Sequence, residues 1–184
     1  MTKMKKVFLI SSLFISMNIF AQNYSPIDSL SKVHFVIKNF GINTGGDFSN
    51  LRGTIHFSPE SLSDAHFSVS VSVSTIDTDN SMRDNNLKGD EYFDAAKFPQ
   101  ISLVSTKVDK TNKTGDGYFY FTGNLTIKGI TKPISFPFQA KAEGNGYLFT
   151  GNFQIDRTAF NVGDKNVVLG NIVSVTLSVM AKKE

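Results

Sequence analysis

The sequence predicts an all-β protein, an eight-stranded antiparallel up-and-down barrel with one long crossover between the third and fourth strands. Three observations lead there. Apolar and polar residues alternate in eight separate runs, the period-two signature of strands with one buried face. Most links between the runs are of hairpin length, and no segment carries a helical period long enough to cover a sheet. Eight antiparallel strands with one apolar face close most simply into a barrel, whose interior is either filled or holds one small ligand. A two-sheet sandwich fits the same alternation and is the alternative architecture.

The chain opens on Lys3, Lys5 and Lys6, followed by the apolar run VFLISSLFISMNIF (7–20) and Ala21. A basic start and a short apolar stretch make a secretory signal, too short and wrongly flanked for a membrane span. The expected division is therefore a signal peptide over 1–21 and one domain over 22–184, periplasmic or secreted, with no integral membrane span after the signal is removed. No cysteine follows the apolar run, which excludes a bacterial lipid anchor. Residues 1–21 hold three lysines and no acid, so 16 basic and 16 acidic side chains remain. The basic character belongs to the leader, and the domain has no basic patch that argues for nucleic acid. With no cysteine in the chain, a disulfide framework and a thiol nucleophile are excluded.

In the first run Val33, Phe35 and Ile37 alternate with His34, Val36 and Lys38. The Gly-rich stretch 41–50 is expected to turn the chain into the second, with Leu51, Gly53, Ile55 and Phe57 inward. SPESLSD (58–64) turns again, and Phe67, Val69, Val71 and Val73 alternate with serines in the third. After the crossover, Ile101 and Leu103 resume the pattern, and DKTNKTGD (109–116) is a hairpin loop. Phe119, Phe121, Gly123, Leu125 and Ile127 form the next inward set, and Lys128-Gly129 makes a tight turn into Ile134, Phe136, Phe138 and Ala140. Pro133 and Pro137 place parts of that strand at an edge or bulge. Tyr147, Phe149, Gly151, Phe153 and Ile155 follow. A long loop over 156–171 leads to Val173, Val175, Leu177 and Val179.

The crossover, within residues 74–105, is where the alternation stops, yet it is too aromatic for simple disorder. In an up-and-down order, loops after odd strands share one end. That end collects the 39–50 stretch, the crossover, the Lys128-Gly129 turn and the 156–171 loop. It is the expected mouth of any cavity, because function concentrates in loops carried on a rigid scaffold.

Three motifs, in this order, carry a resemblance that spans the whole domain. They are VSTIDTDNSMRDNNLKGDEYFDAAKFPQISLVS (73–105), GNLTIKGITKPI (123–134) and FQIDRTAFNVG (153–163). Together they are similar to the YceI-like polyisoprenoid-binding family, with Tyr92-Phe93-Asp94 standing for the family's usual Phe-Phe-Asp. The resemblance implies a lipocalin-like barrel with an elongated apolar cavity. It implies that a long isoprenoid, a polyprenyl chain or an isoprenoid quinone, is bound there for storage, shielding or transport in the periplasm, without catalysis. No cofactor is expected beyond that lipid, and the chain is expected to be a monomer or dimer.

Alternation alone reads the inward side chains as core. The resemblance makes them the expected cavity lining: Phe35, Phe57, Phe67, Val69, Val71, Leu103, Phe119, Phe121, Phe136, Phe138, Phe149, Phe153, Val175 and Leu177. The expected mouth and lid are Asp77, Arg83, Asp84, Leu87, Tyr92, Phe93, Phe98, Arg157 and Phe160. Arg157 shares inward parity with Phe153 and Ile155, and Asp77 shares it with Val73. Arg83 or Arg157 could donate to a phosphate or quinone oxygen. The plainer reading is an Arg–Asp network tying the crossover to the rim, since a near-buried charge needs a partner. Asp84 and Asp94 could form an acid/base pair, but carboxylates at loop starts more commonly cap turns. His34, His56 and His66 share outward parity, and pairing about turns near 45 and 61 would gather them as a surface metal site. Coincidence is the favoured reading and no metal is expected. An enzyme acting on a small apolar substrate and a structural barrel with a filled core are the other readings. The sequence offers neither a Ser/His/Asp signature nor a metal-ligand signature for the former.

Overall fold

The computed structural model describes residues 22–111, 117–165 and 167–184. The expected leader and the tip of the 109–116 loop, residues 112–116, lie outside the described residues. The strands are β1 (Gln22–Pro26), β2 (Lys32–Asn39), β3 (Ile42–Phe48), β4 (Arg52–Phe57), β5 (His66–Ser72), β6 (Gln100–Lys110), β7 (Tyr118–Ile127), β8 (Ile130–Glu143), β9 (Gly146–Asp156) and β10 (Leu169–Lys183). They form one sheet in the order β1-β4-β5-β6-β7-β8-β9-β10-β2-β3, and β1 also pairs with β10.

This closes an eight-strand barrel, because two of its strands are each broken in two. β1 and β2 run along the same partner, with Pro26 opposite Ala181 and Lys32 opposite Ser178. β4 pairs with β1 and β3 pairs with β2, so the second strand is broken as well. The two breaks meet where the Asp28 carboxylate accepts the Leu51 N–H at 2.7 Å. Closure leaves the barrel without a continuous free edge.

The structure moves the first turn. Residues 41–50, expected to turn, are mostly strand β3, and the reversal is the two-residue Phe40-Gly41, with φ of 49° and 77°. Such paired positive angles match the twist of a hairpin. Gly45 and Gly46 serve close approach. A Cβ on Gly46 would lie 2.6 Å from Phe35 Cζ and 2.8 Å from the Asp77 carbonyl oxygen.

The prolines of β8 fall where the sequence puts them. Among the described residues, β8 pairs with β9 only from Phe138 to Glu143, so its first half is bonded to β7 alone. Ile127 and Ile130 flank the two-residue turn and are paired. By alternation, odd-numbered residues of β8 direct their backbone away from β7. Pro133 and Pro137 are odd, so their missing donors face the open side.

The core divides along the barrel axis. One end is filled by aromatic rings around Phe57, which is fully buried. Phe119, Tyr147 and Phe149 meet it edge-on at centroid distances of 5.1, 5.3 and 5.4 Å. Such pairs add about 0.5–1.5 kcal/mol each beyond their burial. The other end carries the crossover and the loop between β9 and β10. Within the crossover a short 3-10 turn (Val73–Thr75) precedes helix α1 (Ser81–Leu87), capped by the Asn80 side chain on the Arg83 N–H at 3.0 Å.

Candidate ligand cavity

At the crossover end the rings give way to aliphatic side chains around a cavity of about 190 Å³. Its wall is built from strand ends: Val33, Phe35 and Ile37 of β2, Val69 and Val71 of β5, Ile101 and Leu103 of β6, Leu125 and Ile127 of β7, Phe153 and Ile155 of β9, and Val173, Val175 and Leu177 of β10. Leu87, Tyr92 and Phe93 close it from the crossover, while Val162 of the β9–β10 loop and Leu169 at the start of β10 close it from the other side. The cavity therefore sits at the end where the long loops meet.

The expected lining splits accordingly. Phe35, Val69, Val71, Leu103, Phe153, Val175 and Leu177 face the cavity. Phe57, Phe67, Phe119, Phe121, Phe136, Phe138 and Phe149 instead fill the closed end, each 7% exposed or less. They pack too tightly on one another to leave space: Phe121 stacks on Phe136 at 4.9 Å, and Phe136 meets Phe153 at 4.7 Å. Sequence reasoning left out Val33, Ile37, Ile101, Leu125, Ile127, Ile155 and Val173, although they shared the inward parity of the residues it chose.

The lid is held by main-chain acceptors. Arg157, 3% exposed, begins a 3-10 turn (Arg157–Phe160). Its Nε donates to the Gly170 carbonyl at 2.9 Å, Nη1 to Val162 at 2.7 Å, and Nη2 to Asp164 at 2.9 Å and Leu169 at 3.1 Å. The guanidinium thus clasps its own loop through carbonyl dipoles. The expected link to the crossover is made by Lys128, whose Nζ donates to Asp90, Glu91 and Asn161 carbonyls at 2.7, 3.2 and 2.9 Å. Gly163, at φ 66°, donates its N–H to Glu91 at 3.0 Å, and a Cβ there would lie 2.8 Å from the Tyr92 ring. Phe160 packs with Leu125, Ile127 and Val162 beneath this junction, and Phe98 lies against Gly129. Asp156 caps the 3-10 turn, and its hydrogen bonds from the Thr158 hydroxyl and N–H hold its carboxyl below the ordinary value, helped by nearby Lys165 and Arg157.

Thr78 is the centre of a second cluster. Its hydroxyl donates to the buried Asp84 carboxylate and accepts from Arg83 Nε at 2.8 Å, while Arg83 Nη2 donates to the Thr78 carbonyl at 2.5 Å. Asp84 also accepts the Thr78 N–H at 3.0 Å. Asp84 and Arg83 therefore brace the start of α1 through Thr78. Asp94 sits at a turn with φ 50°, its carbonyl accepting from Lys97 and Phe98. Asp77 is exposed, pairs through its backbone with Asp47, and accepts the Asp79 N–H at 3.0 Å.

His34, Thr44, Thr78 and Arg83 border both the cavity and an adjoining polar groove, which Asn43, Gly45, Gly46, Asp47, Asp77 and Asp79 complete. The shift of the first turn also separates the histidines. His56 pairs with His66 across β4 and β5, whereas His34 sits opposite Asp47 with Nδ1 at 2.7 Å from Oδ1. Among the described residues no group of three or more His, Cys, Asp or Glu side chains is placed to share a metal.

A closed up-and-down barrel with an apolar cavity under looped-over segments is lipocalin-like in class. The YceI-like domain model matches residues 24–181, and the chain belongs to that family. A Yersinia pestis protein described as UPF0312 protein is 33% identical over 137 residues, covering 71% of this chain and 69% of the relative. Protein YceI of Salmonella arizonae is 35% identical over 115 residues, 62% of this chain and 57% of the relative. Among solved structures, Burkholderia cenocepacia BcnA is similar with TM-score 0.79 and 26% identity, over 85% of this chain and 99% of that one. A structure described as a polyisoprenoid binding domain from Saccharophagus degradans, implicated in plant cell wall breakdown, has TM-score 0.72 at 14% identity. It matches over 90% of this chain and 100% of that one, and shares the fold.

Proposed function

We propose that this protein binds an isoprenoid lipid, a polyprenyl chain or an isoprenoid quinone, to store, shield or carry it in the periplasm after export by the 1–21 leader. The observation that carries the reading is the apolar cavity that opens beside a polar groove at the lidded end of the barrel. An aliphatic tail fits the strand-end walls, and a polar head fits the edge formed by His34, Thr44, Thr78 and Arg83. Family membership supports the same reading, as does the binding stated for the Saccharophagus degradans neighbour.

The physical basis is removal of apolar surface from water, worth roughly 25 cal/mol per Å². At about 0.3 kcal/mol per heavy atom, each five-carbon isoprene unit adds roughly 1.5 kcal/mol. The polar groups then fix orientation more than affinity. Nothing in this function requires a bond to be made or broken.

Native mass spectrometry of protein exported to the periplasm, with organic extraction of what it carries, tests the proposal. A stoichiometric prenyl lipid is the expected result. An empty barrel that also fails to take up added isoprenoid quinone overturns it.

A further inference from the structure

An exposed apolar corner lies at the rim of this cavity. Phe40 is 76% exposed, Ile42 71% and Val167 completely so. They are brought together by pairing: Asn39 sits opposite both Ile42 and Leu169, and the Phe40 N–H donates to the Val168 carbonyl at 2.9 Å. Asn39 and Leu169 themselves line the cavity, so the corner continues the apolar wall outward.

Phe40 is costly where it stands. It holds φ 49°, a left-handed angle that a bulky residue rarely adopts, at a turn position that favours Asn or Gly. Buried packing does not compensate, because the ring faces water. The nearest charges in the chain are Lys38 and Lys165, with Asp47, which is paired to Lys32 and His34, and Asp164 just beyond them. Residues 37–46 and 165–173 contain Lys38 and Lys165 and no acid, and both lysines are exposed.

We infer that this corner docks the barrel mouth on an anionic lipid bilayer, with Phe40, Ile42 and Val167 inserted at the head-group boundary and Lys38 and Lys165 on the anionic heads. Exposed apolar side chains beside exposed lysines are the interfacial pattern of proteins that lie on a membrane. The inference rests on the lipid-binding reading above and adds where the lipid enters and leaves.

The test is co-flotation of the full exported chain with phosphatidylethanolamine–phosphatidylglycerol vesicles. Its control is the double variant Phe40→Asn, Ile42→Thr, whose residues suit the same turn and strand and should preserve the melting temperature. The wild type should float and lose binding in high salt, and the variant should bind ~10-fold or more weakly. Variant flotation equal to the wild type overturns the inference. So does a wild-type dimer that the variant splits into monomers without vesicle binding, which would make the corner an interface between copies. A chain that carries extractable prenyl lipid yet never floats refutes docking alone. A chain that floats but binds no isoprenoid refutes the lipid-binding reading and leaves the docking.

Discussion

Lys128 Nζ lies 2.9 Å from the Asn161 carbonyl oxygen, and the same ammonium reaches the Asp90 and Glu91 carbonyls of the crossover. One side chain from a two-residue turn thus joins three segments that are far apart in sequence, and these segments form the lid. Replacing it by methionine keeps the stem but removes the donors. Lys128→Met should cost about 1 kcal/mol of global stability. It should raise hydrogen exchange in residues 88–98 and 157–163 well beyond that in β4 or β5. Uniform exchange across the barrel would show that Lys128 does not hold the lid.

Arg157 answers to a different measurement. Arg157→Met leaves four main-chain carbonyls without their donor and should lower stability by about 3 kcal/mol, read as a urea midpoint. Lysine cannot span four acceptors from one nitrogen, so Arg157→Lys should recover little. Lipid content per folded molecule should stay near that of the parent. Full stability with lost lipid would instead make Arg157 a head-group ligand.

The phenylalanines beneath the cavity set its depth. Phe136 lies between Phe121 and the cavity-lining Phe153. Phe136→Ala should extend the cavity toward the closed end at a cost of about 3 kcal/mol. Competition between short and long isoprenoids should then shift toward the longer chain. An unchanged preference would place the limit on chain length elsewhere.

The closed end also carries an alkaline sensitivity. Burial raises the hydroxyl values of both Tyr24 and Tyr147 above 10.0, and the Glu60 charge adds to each. A raised folded-state value means that the neutral form is the one the fold favours. That stabilisation is complete below the unfolded value and is lost as pH rises through the folded one. Denaturant midpoints should therefore fall above about pH 10, and the double variant Tyr24→Phe, Tyr147→Phe should flatten the fall.

Much of the fold was legible because a barrel strand writes its geometry locally. Phe67, Val69 and Val71 alternate with serines, and β5 follows. The position of the mouth was legible from loop length and strand parity. The Gly45-Gly46 pair misled because glycine marks both turns and tight backbone approaches, and only the position of Phe35 and Asp77 tells which. Inward parity does not distinguish the cavity wall from the closed end; the deciding variable is distance along the barrel axis, which puts Phe57 in the closed end and Ile101 on the cavity wall. Arg157 and Lys128 were the least legible, because their acceptors are main-chain carbonyls and every residue type carries one.

The half-open seam between β8 and β9 bears on solubility. An unpaired strand margin is a template on which another chain can add by backbone bonding, the first step of sheet-to-sheet aggregation. On the open side of β8, the outward backbone positions are Thr131, Pro133, Ser135 and Pro137. Two of those four residues have no N–H to offer. A newcomer strand would find every second donor missing, so the gap that loosens the barrel wall is also guarded against self-association.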